Sequence, residues 1–225
     1  FNLPQEKRRP VAVKMDSKKR VLLLYHDRID IYSIKGKFRR SWKSPSGEYK
    51  YRNAANFALD KEDNIYILRG VYHDYNHHVV ILNSKGKPIG QMFKNDPDPY
   101  AGIEVDDIAI DKDDRILILW QDENIKAYDK NGKEIDEITR GPFVDKLFTG
   151  PSGNIYMICS FSEGFIITDL NKNRLAYTSD YIYTCVFEGS NGRLYLGGWD
   201  HTVVANNLQR HYWRGEVADI AGKLR

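Results

Sequence analysis

The sequence has no long hydrophobic run: the longest are five or six residues, such as Ile116–Trp120. A spanning helix needs about 20 apolar residues, so no membrane span is expected. Cysteine is scarce, and Cys159 and Cys185 permit one disulfide at most. That excludes a disulfide scaffold and cysteine-rich zinc modules. Both cysteines sit in apolar runs and are expected to be small buried hydrophobes. No Asn-x-Ser/Thr sequon occurs, and no segment carries a helical apolar stripe of ten residues. Catalytic signatures are absent too, with no G-x-S-x-G elbow, no G-x-x-x-x-G-K and no G-x-G-x-x-G.

What is present is ordinary globular composition: 225 residues, 41% apolar, 29% charged and 12% aromatic. A disordered or collagen-like chain is excluded. A domain of this size buries roughly 70% of its unfolded surface and needs no covalent staple. The chain starts at Phe1, which fits a removed leader or a longer parent chain. Localisation therefore stays open between the cytoplasm and export.

The chain repeats, which is the strongest signal it carries. Asp16-Ser-Lys-Lys-Arg-Val-Leu-Leu-Leu aligns with Asp60-Lys-Glu-Asp-Asn-Ile-Tyr-Ile-Leu and Asp111-Lys-Asp-Asp-Arg-Ile-Leu-Ile-Leu. Gly150-Pro-Ser-Gly-Asn-Ile-Tyr-Met-Ile and Gly189-Ser-Asn-Gly-Arg-Leu-Tyr-Leu-Gly continue the series, at spacings of 44, 51, 39 and 39 residues. A second turn follows in most units, at Ile34-Lys-Gly-Lys, Ser84-Lys-Gly-Lys, Lys130-Asn-Gly-Lys and, more weakly, Asn171-Lys-Asn-Arg. Such pairs favour the primed turns of tight hairpins. Each unit then reads as four strands, A to D; in the third they are about 106–110, 115–120, 124–128 and 134–139. Strand B is apolar on both faces, as a strand sandwiched between neighbours must be.

Four-stranded repeats of about 40 residues are the blades of a β-propeller, in which stacking buries sheet faces that one small sheet leaves bare. His26-Asp-Arg-Ile-Asp-Ile-Tyr-Ser-Ile-Lys-Gly-Lys-Phe38 and Ile108-Ala-Ile-Asp-Lys-Asp-Asp-Arg-Ile-Leu-Ile-Leu119 resemble the repeat of NHL-type β-propellers over about residues 10–214. Only the first unit keeps the family's arginine, at Arg28. The expected organisation is all-β, a single domain over 1–225, with blades near 10–43, 53–93, 104–140, 143–178 and 181–214. Five blades are favoured. The tail 215–225 is either a closing strand or the start of a further blade, because Val217-Ala-Asp-Ile-Ala221 resembles Val105-Asp-Asp-Ile-Ala109. A truncated six-bladed ring, or one completed by another chain, is the alternative.

In a propeller the B–C and D–A loops share one face, and here those loops are the long ones. Five of the six histidines fall there: His26, His73, His77, His78 and His201. Trp42 and Trp213 end D strands, Trp120 and Trp199 end B strands, and each either caps a seam between blades or binds. Long loops on a rigid scaffold concentrate binding residues, and aromatics anchor interfaces. The expected partner-binding set is Trp120, Trp199, Tyr72, His73, Tyr75, His77, His78, Tyr100 and His201.

An acidic residue recurs at each B–C turn: Asp27, Asp74, Asp122, Glu163 and Asp200. Turn chemistry accounts for it. A carboxylate ring at the channel mouth is the sharper reading, and Asp27, His73, Asp122 and His201 are the candidate ligands for Ca²⁺ or Zn²⁺. The loop Tyr72-His-Asp-Tyr-Asn-His-His78 matches no established zinc spacing, and no cofactor is expected. Some propellers that this repeat resembles are lyases or lactonases with a metal or histidine at the channel mouth.

The net charge of +3 hides an uneven distribution. Residues 1–52 carry 15 Lys and Arg against 5 Asp and Glu, and the remainder carries 19 against 26. The basic clusters are Lys7-Arg8-Arg9, Lys18-Lys19-Arg20 and Arg39-Arg40, with Phe38, Trp42, Tyr49 and Tyr51 interleaved. Three functions follow. The first is a non-catalytic interaction module taking a protein or peptide, for which an acidic partner suits the first blade. The second is a metal-assisted lyase or hydrolase. The third is nucleic-acid or anionic-surface binding through the basic clusters.

Overall fold

The computed structural model describes residues 10–51, 54–69, 79–93, 105–120, 125–138, 144–159, 165–168, 174–178, 183–189, 193–198 and 202–205. Among them are nineteen β-strands, one 3₁₀ turn at Gly47–Tyr49 and no α-helix. The strands form five antiparallel sheets in which sequence neighbours pair. Sheet one is β1 (Ala12–Met15), β2 (Arg20–Leu24), β3 (Arg28–Ser33) and β4 (Phe38–Lys43). Sheet two is β5 (Ala54–Leu59), β6 (Ile65–Arg69), β7 (Val79–Leu82) and β8 (Pro88–Met92). Sheet three is β9 (Val105–Ile110), β10 (Ile116–Trp120), β11 (Ile125–Tyr128) and β12 (Glu134–Ile138), within a residue of the expected bounds. Sheet four is β13 (Val144–Thr149), β14 (Ile155–Cys159), β15 (Phe165–Thr168) and β16 (Arg174–Thr178). Sheet five shows three described strands, β17 (Tyr183–Glu188), β18 (Leu194–Gly198) and β19 (Thr202–Ala205). The chain divides into two compact units, Phe1–Ile108 and Ala109–Arg225. The tail 215–225 lies outside the described residues.

The turns correct one expectation. A primed two-residue turn needs positive φ at its first central residue. Here Gly36, Gly86 and Gly132, at φ 79°, 78° and 83°, close three-residue loops instead. Gly36 donates its N–H to the Ser33 carbonyl at 2.8 Å, and Ser33 donates to Lys37 at 2.8 Å. A type I turn followed by a left-handed bulge residue has this pattern, and the register shifts at Ile31/Tyr32, Ile81/Leu82 and Ala127/Tyr128 are its trace. The residue opening each turn satisfies the loop: Asp129 accepts the N–H groups of Asn131 and Lys133 at 2.8 and 3.0 Å. The backbone N–H of Lys133 is the main reason the Asp129 carboxyl is held below the usual range. The A–B turns repeat the device with Lys19, Asp63 and Asp114 in the left-handed position. There Asp16, Asp60 and Asp111 each accept two backbone N–H groups.

Alternation puts Leu22, Leu24, Ile29 and Ile31 on one face of sheet one, where they form a single cluster with Phe57, Ile65, Ile67, Val80 and Leu82 of sheet two. Leu117, Leu119, Ile125 and Ala127 meet Val144, Leu147, Ile155 and Met157 in the same way. Full burial of such a side chain stabilises by about 1.5–3 kcal/mol, against about 1 kcal/mol net for a hydrogen bond. Apolar stacking therefore dominates stability, and polar ties fix which residues face each other. The Ser17 N–H and hydroxyl both donate to the Asp63 carboxylate, at 2.8 and 2.7 Å. The Asn56 amide donates to Asp107, which is 1% exposed. The Thr149 hydroxyl donates to the Ile110 carbonyl at 2.5 Å. Glu188 accepts from the Ser152 and Tyr156 hydroxyls at 2.7 and 2.9 Å.

Cys185 departs from its expected burial. It is exposed, because β17 buries Val186 and Glu188 on one face and leaves Cys185 and Phe187 on the other. The Cys159 side chain is not described.

Candidate functional site

Sheet one carries the described part of the candidate site. Its B–C turn is pinned by Arg28, which bridges both Asp30 carboxylate oxygens at 3.1 Å and reaches Asp27 at 3.3 Å. The guanidinium also lies 4.3 Å from the centre of the Tyr25 ring. Arg28 offsets the charge of the buried Asp30, and the exposed Asp27 leaves the turn net negative. Asp27 and His26 are exposed beside it. Tyr51 closes the following loop: its backbone N–H donates to the Ser44 hydroxyl at 3.1 Å and its own hydroxyl to the Trp42 carbonyl at 3.3 Å. Burial pushes the Tyr51 phenol well above its usual range, and Asp27 and Asp30 add to the shift.

The outer strand β4 is the exposed element. Phe38, Arg39, Arg40, Ser41 and Lys43 all face solvent, and Phe38 is 51% exposed. Arg39 and Arg40 form no ion pair among the described residues. Lys35, Lys37, Lys18 and Lys19 are exposed in the two turns of the same sheet. Arg20 is a correction to the basic set. It is half-buried, its Nε bonds Asp16 at 2.5 Å, and its charge is largely spent there. Lys7, Arg8 and Arg9 lie outside the described residues.

The expected aromatics separate in the structure. Tyr51 is fully buried, and Trp42 and Tyr49 pack against the core of sheets one and two. Trp42 is therefore a seam residue, and Phe38 alone is available on β4. A base-stacking surface needs successive exposed rings, which these residues do not supply. Trp120 is a second correction: at the end of the doubly covered strand β10 it is 5% exposed and offers no docking surface. Trp199, Tyr72, His73, Tyr75, His77, His78, Tyr100 and His201 lie outside the described residues, as do Asp122, Asp74, Glu163, Asp200 and Trp213. Of the candidate metal ligands, only Asp27 is described, and it pairs with Arg28. Among the described residues no group of three or more His, Cys, Asp or Glu is arranged to hold a metal.

Ser17, Asp63, Ser152, Tyr156 and Glu188 were not legible as ties. The signal available was an aspartate at the left-handed turn position where glycine is expected: Asp63 has φ 62°. Aspartate tolerates that conformation, and here its carboxylate accepts from Ser17.

No family model and no curated protein matches the chain. Solved structures do. Virginiamycin B lyase from Staphylococcus aureus aligns at a TM-score of 0.57 and 12% identity, over 88% of this chain and 66% of that one. A gluconolactonase from Xanthomonas campestris aligns at 0.61 and 14%, over 83% and 68%. The WD40 repeats of RRP9 align at 0.62 and 10%, over 92% and 63%. The chain thus spans about two thirds of the length of these structures. At such identities the likeness establishes the fold: all-β, a β-propeller. Among the described residues no helix is long and apolar enough to cross a membrane.

Proposed function

We propose that the chain is a non-catalytic interaction module whose first sheet docks an acidic protein or peptide. The observation that carries this is β4, a fully formed edge strand that holds Arg39, Arg40 and Lys43 in solvent beside four exposed turn lysines. An edge strand offers free backbone donors and acceptors, and extended peptides add to such edges. Concentrated positive charge raises the encounter rate with acidic partners. Nucleic acid is a weaker fit, because three of the four interleaved aromatics are committed to packing. The repeat is read as NHL-like and the ring as five-bladed, with the histidine- and aromatic-rich loops forming a second docking face. Binding of a fluorescent Glu-rich peptide, followed by anisotropy in low and high salt, tests the reading. Salt-sensitive binding supports it, and no binding at low salt contradicts it.

A second reading is a metal-assisted lyase or hydrolase at the channel mouth, favoured by the likeness to virginiamycin B lyase and gluconolactonase. Elemental analysis of the purified protein separates the two. A stoichiometric metal lost in His73→Ala or His201→Ala favours the enzyme.

A further inference from the structure

We propose that the partner taken by the basic outer strand β4 is a second copy of this chain, which presents its acidic outer strand β12. The inference rests on reading β4 as a docking edge. Both strands end their sheets, so each has one unpaired backbone edge. They match in length, at six and five residues. β4 reads Phe-Arg-Arg-Ser-Trp-Lys and β12 reads Glu-Ile-Asp-Glu-Ile.

Each strand also exposes one large apolar side chain, Phe38 at 51% and Ile135 at 48%. Glu134 and Glu137 face solvent on β12, and Glu134 stays largely exposed although its carboxylate lies 3.7 Å from the Lys126 ammonium. The outer strand between them in sequence, β8, contains no charge and begins with Pro88, which cannot donate to a ladder.

Charge on an edge strand ordinarily keeps sheets from adding to one another. With one sign on each edge the rule becomes selective. β4 repels β4 and β12 repels β12, while β4 attracts β12. The contact is therefore heterologous, and a pair keeps one free edge of each sign, the acidic β12 on one copy and the basic β4 on the other. Pairing of five or six residues is a small interface, so association is weak and salt-dependent.

Sedimentation velocity tests this with four samples: wild type, Arg39→Glu/Arg40→Glu, Glu134→Lys/Glu137→Lys, and an equimolar mixture of the two variants. The first variant has two acidic edges and the second two basic ones. Wild type is expected to gain mass with concentration at low salt and to return to monomer near ~1 M salt, where the screening length is ~3 Å. Each variant alone is expected to stay monomeric, and the mixture to assemble as wild type does. A wild type that stays monomeric up to its solubility limit overturns the proposal, as does a variant that self-associates as wild type does. If that monomeric wild type still binds the Glu-rich peptide, the docking edge stands and only the self-pairing falls. If it binds neither, both fall.

Discussion

The Trp42 indole lies flat over Gly86, so close that a Cβ at position 86 would sit 2.5 Å from Cδ2. Trp42 belongs to the outer strand of sheet one and Gly86 to the last turn of sheet two. The turn needs glycine for its φ of 78°, and the same missing side chain gives the indole its seat. One residue therefore shapes a hairpin and joins two sheets.

Gly86→Ala is expected to destabilise the chain by about 1–3 kcal/mol through overpacking and a strained left-handed residue. Urea unfolding measures it. Gly47→Ala is the control, since φ there is 68° but nothing lies within 4 Å of the added Cβ. It should show the backbone cost alone.

Asp63→Ala removes the acceptor for both Ser17 donors. A loss of about 1.5–3 kcal/mol is expected, the range for hydrogen bonds to a charged group. Ser17→Ala should cost less, and the double variant should cost less than the two single losses combined. Additive losses would show that the two residues act independently.

Two buried phenols couple stability to alkaline pH. Burial is the main cause that raises Tyr156, to about 12, and it raises Tyr51 as well. In the unfolded chain a tyrosine ionises near pH 10. Above that pH the unfolded state binds fewer protons than the folded one, so stability falls with rising pH. Their contribution is complete below about pH 10 and is lost as pH climbs toward the folded values. Tyr156→Phe should flatten the decline in melting temperature between pH 10 and about 12 and forfeit the bond to Glu188. An unchanged decline would contradict the assignment.

Cys185 should react with a thiol reagent in the native protein without denaturant, because its side chain is exposed. Cys185→Ser should remove that fast phase. Persistence of the phase in the variant would contradict the exposure found on β17.

The strands were legible because each hairpin repeats the same arithmetic. A turn residue that caps its own loop is followed by an apolar strand, as at Asp111 and Ile116–Trp120. Local chemistry sets that pattern, so sequence alone carries it. The turn type was misread because Asn-Gly fits both a primed turn and a bulged one, and only the backbone of Gly132 separates them. Cys185 was misplaced for a different reason. Burial depends on which sheet face meets a neighbour, and alternation fixes the two faces without saying which one is covered. Contacts between distant residues, such as Ser17 with Asp63, leave no local trace beyond an aspartate in a glycine's place.

The most direct test of the docking edge compares peptide binding by three proteins: wild type, Arg39→Glu/Arg40→Glu and Lys112→Glu/Lys130→Glu. The two variants change net charge equally, and Lys112 and Lys130 are exposed in turns of sheet three. A Glu-rich peptide is expected to bind the β4 variant at least about tenfold more weakly than wild type, a change of ~1.4 kcal/mol. The sheet-three variant should stay within about twofold of wild type, since it leaves every charge of β4 and of the sheet-one turns in place. Equal weakening in both variants would mean that overall charge attracts the peptide and that β4 is not its docking edge.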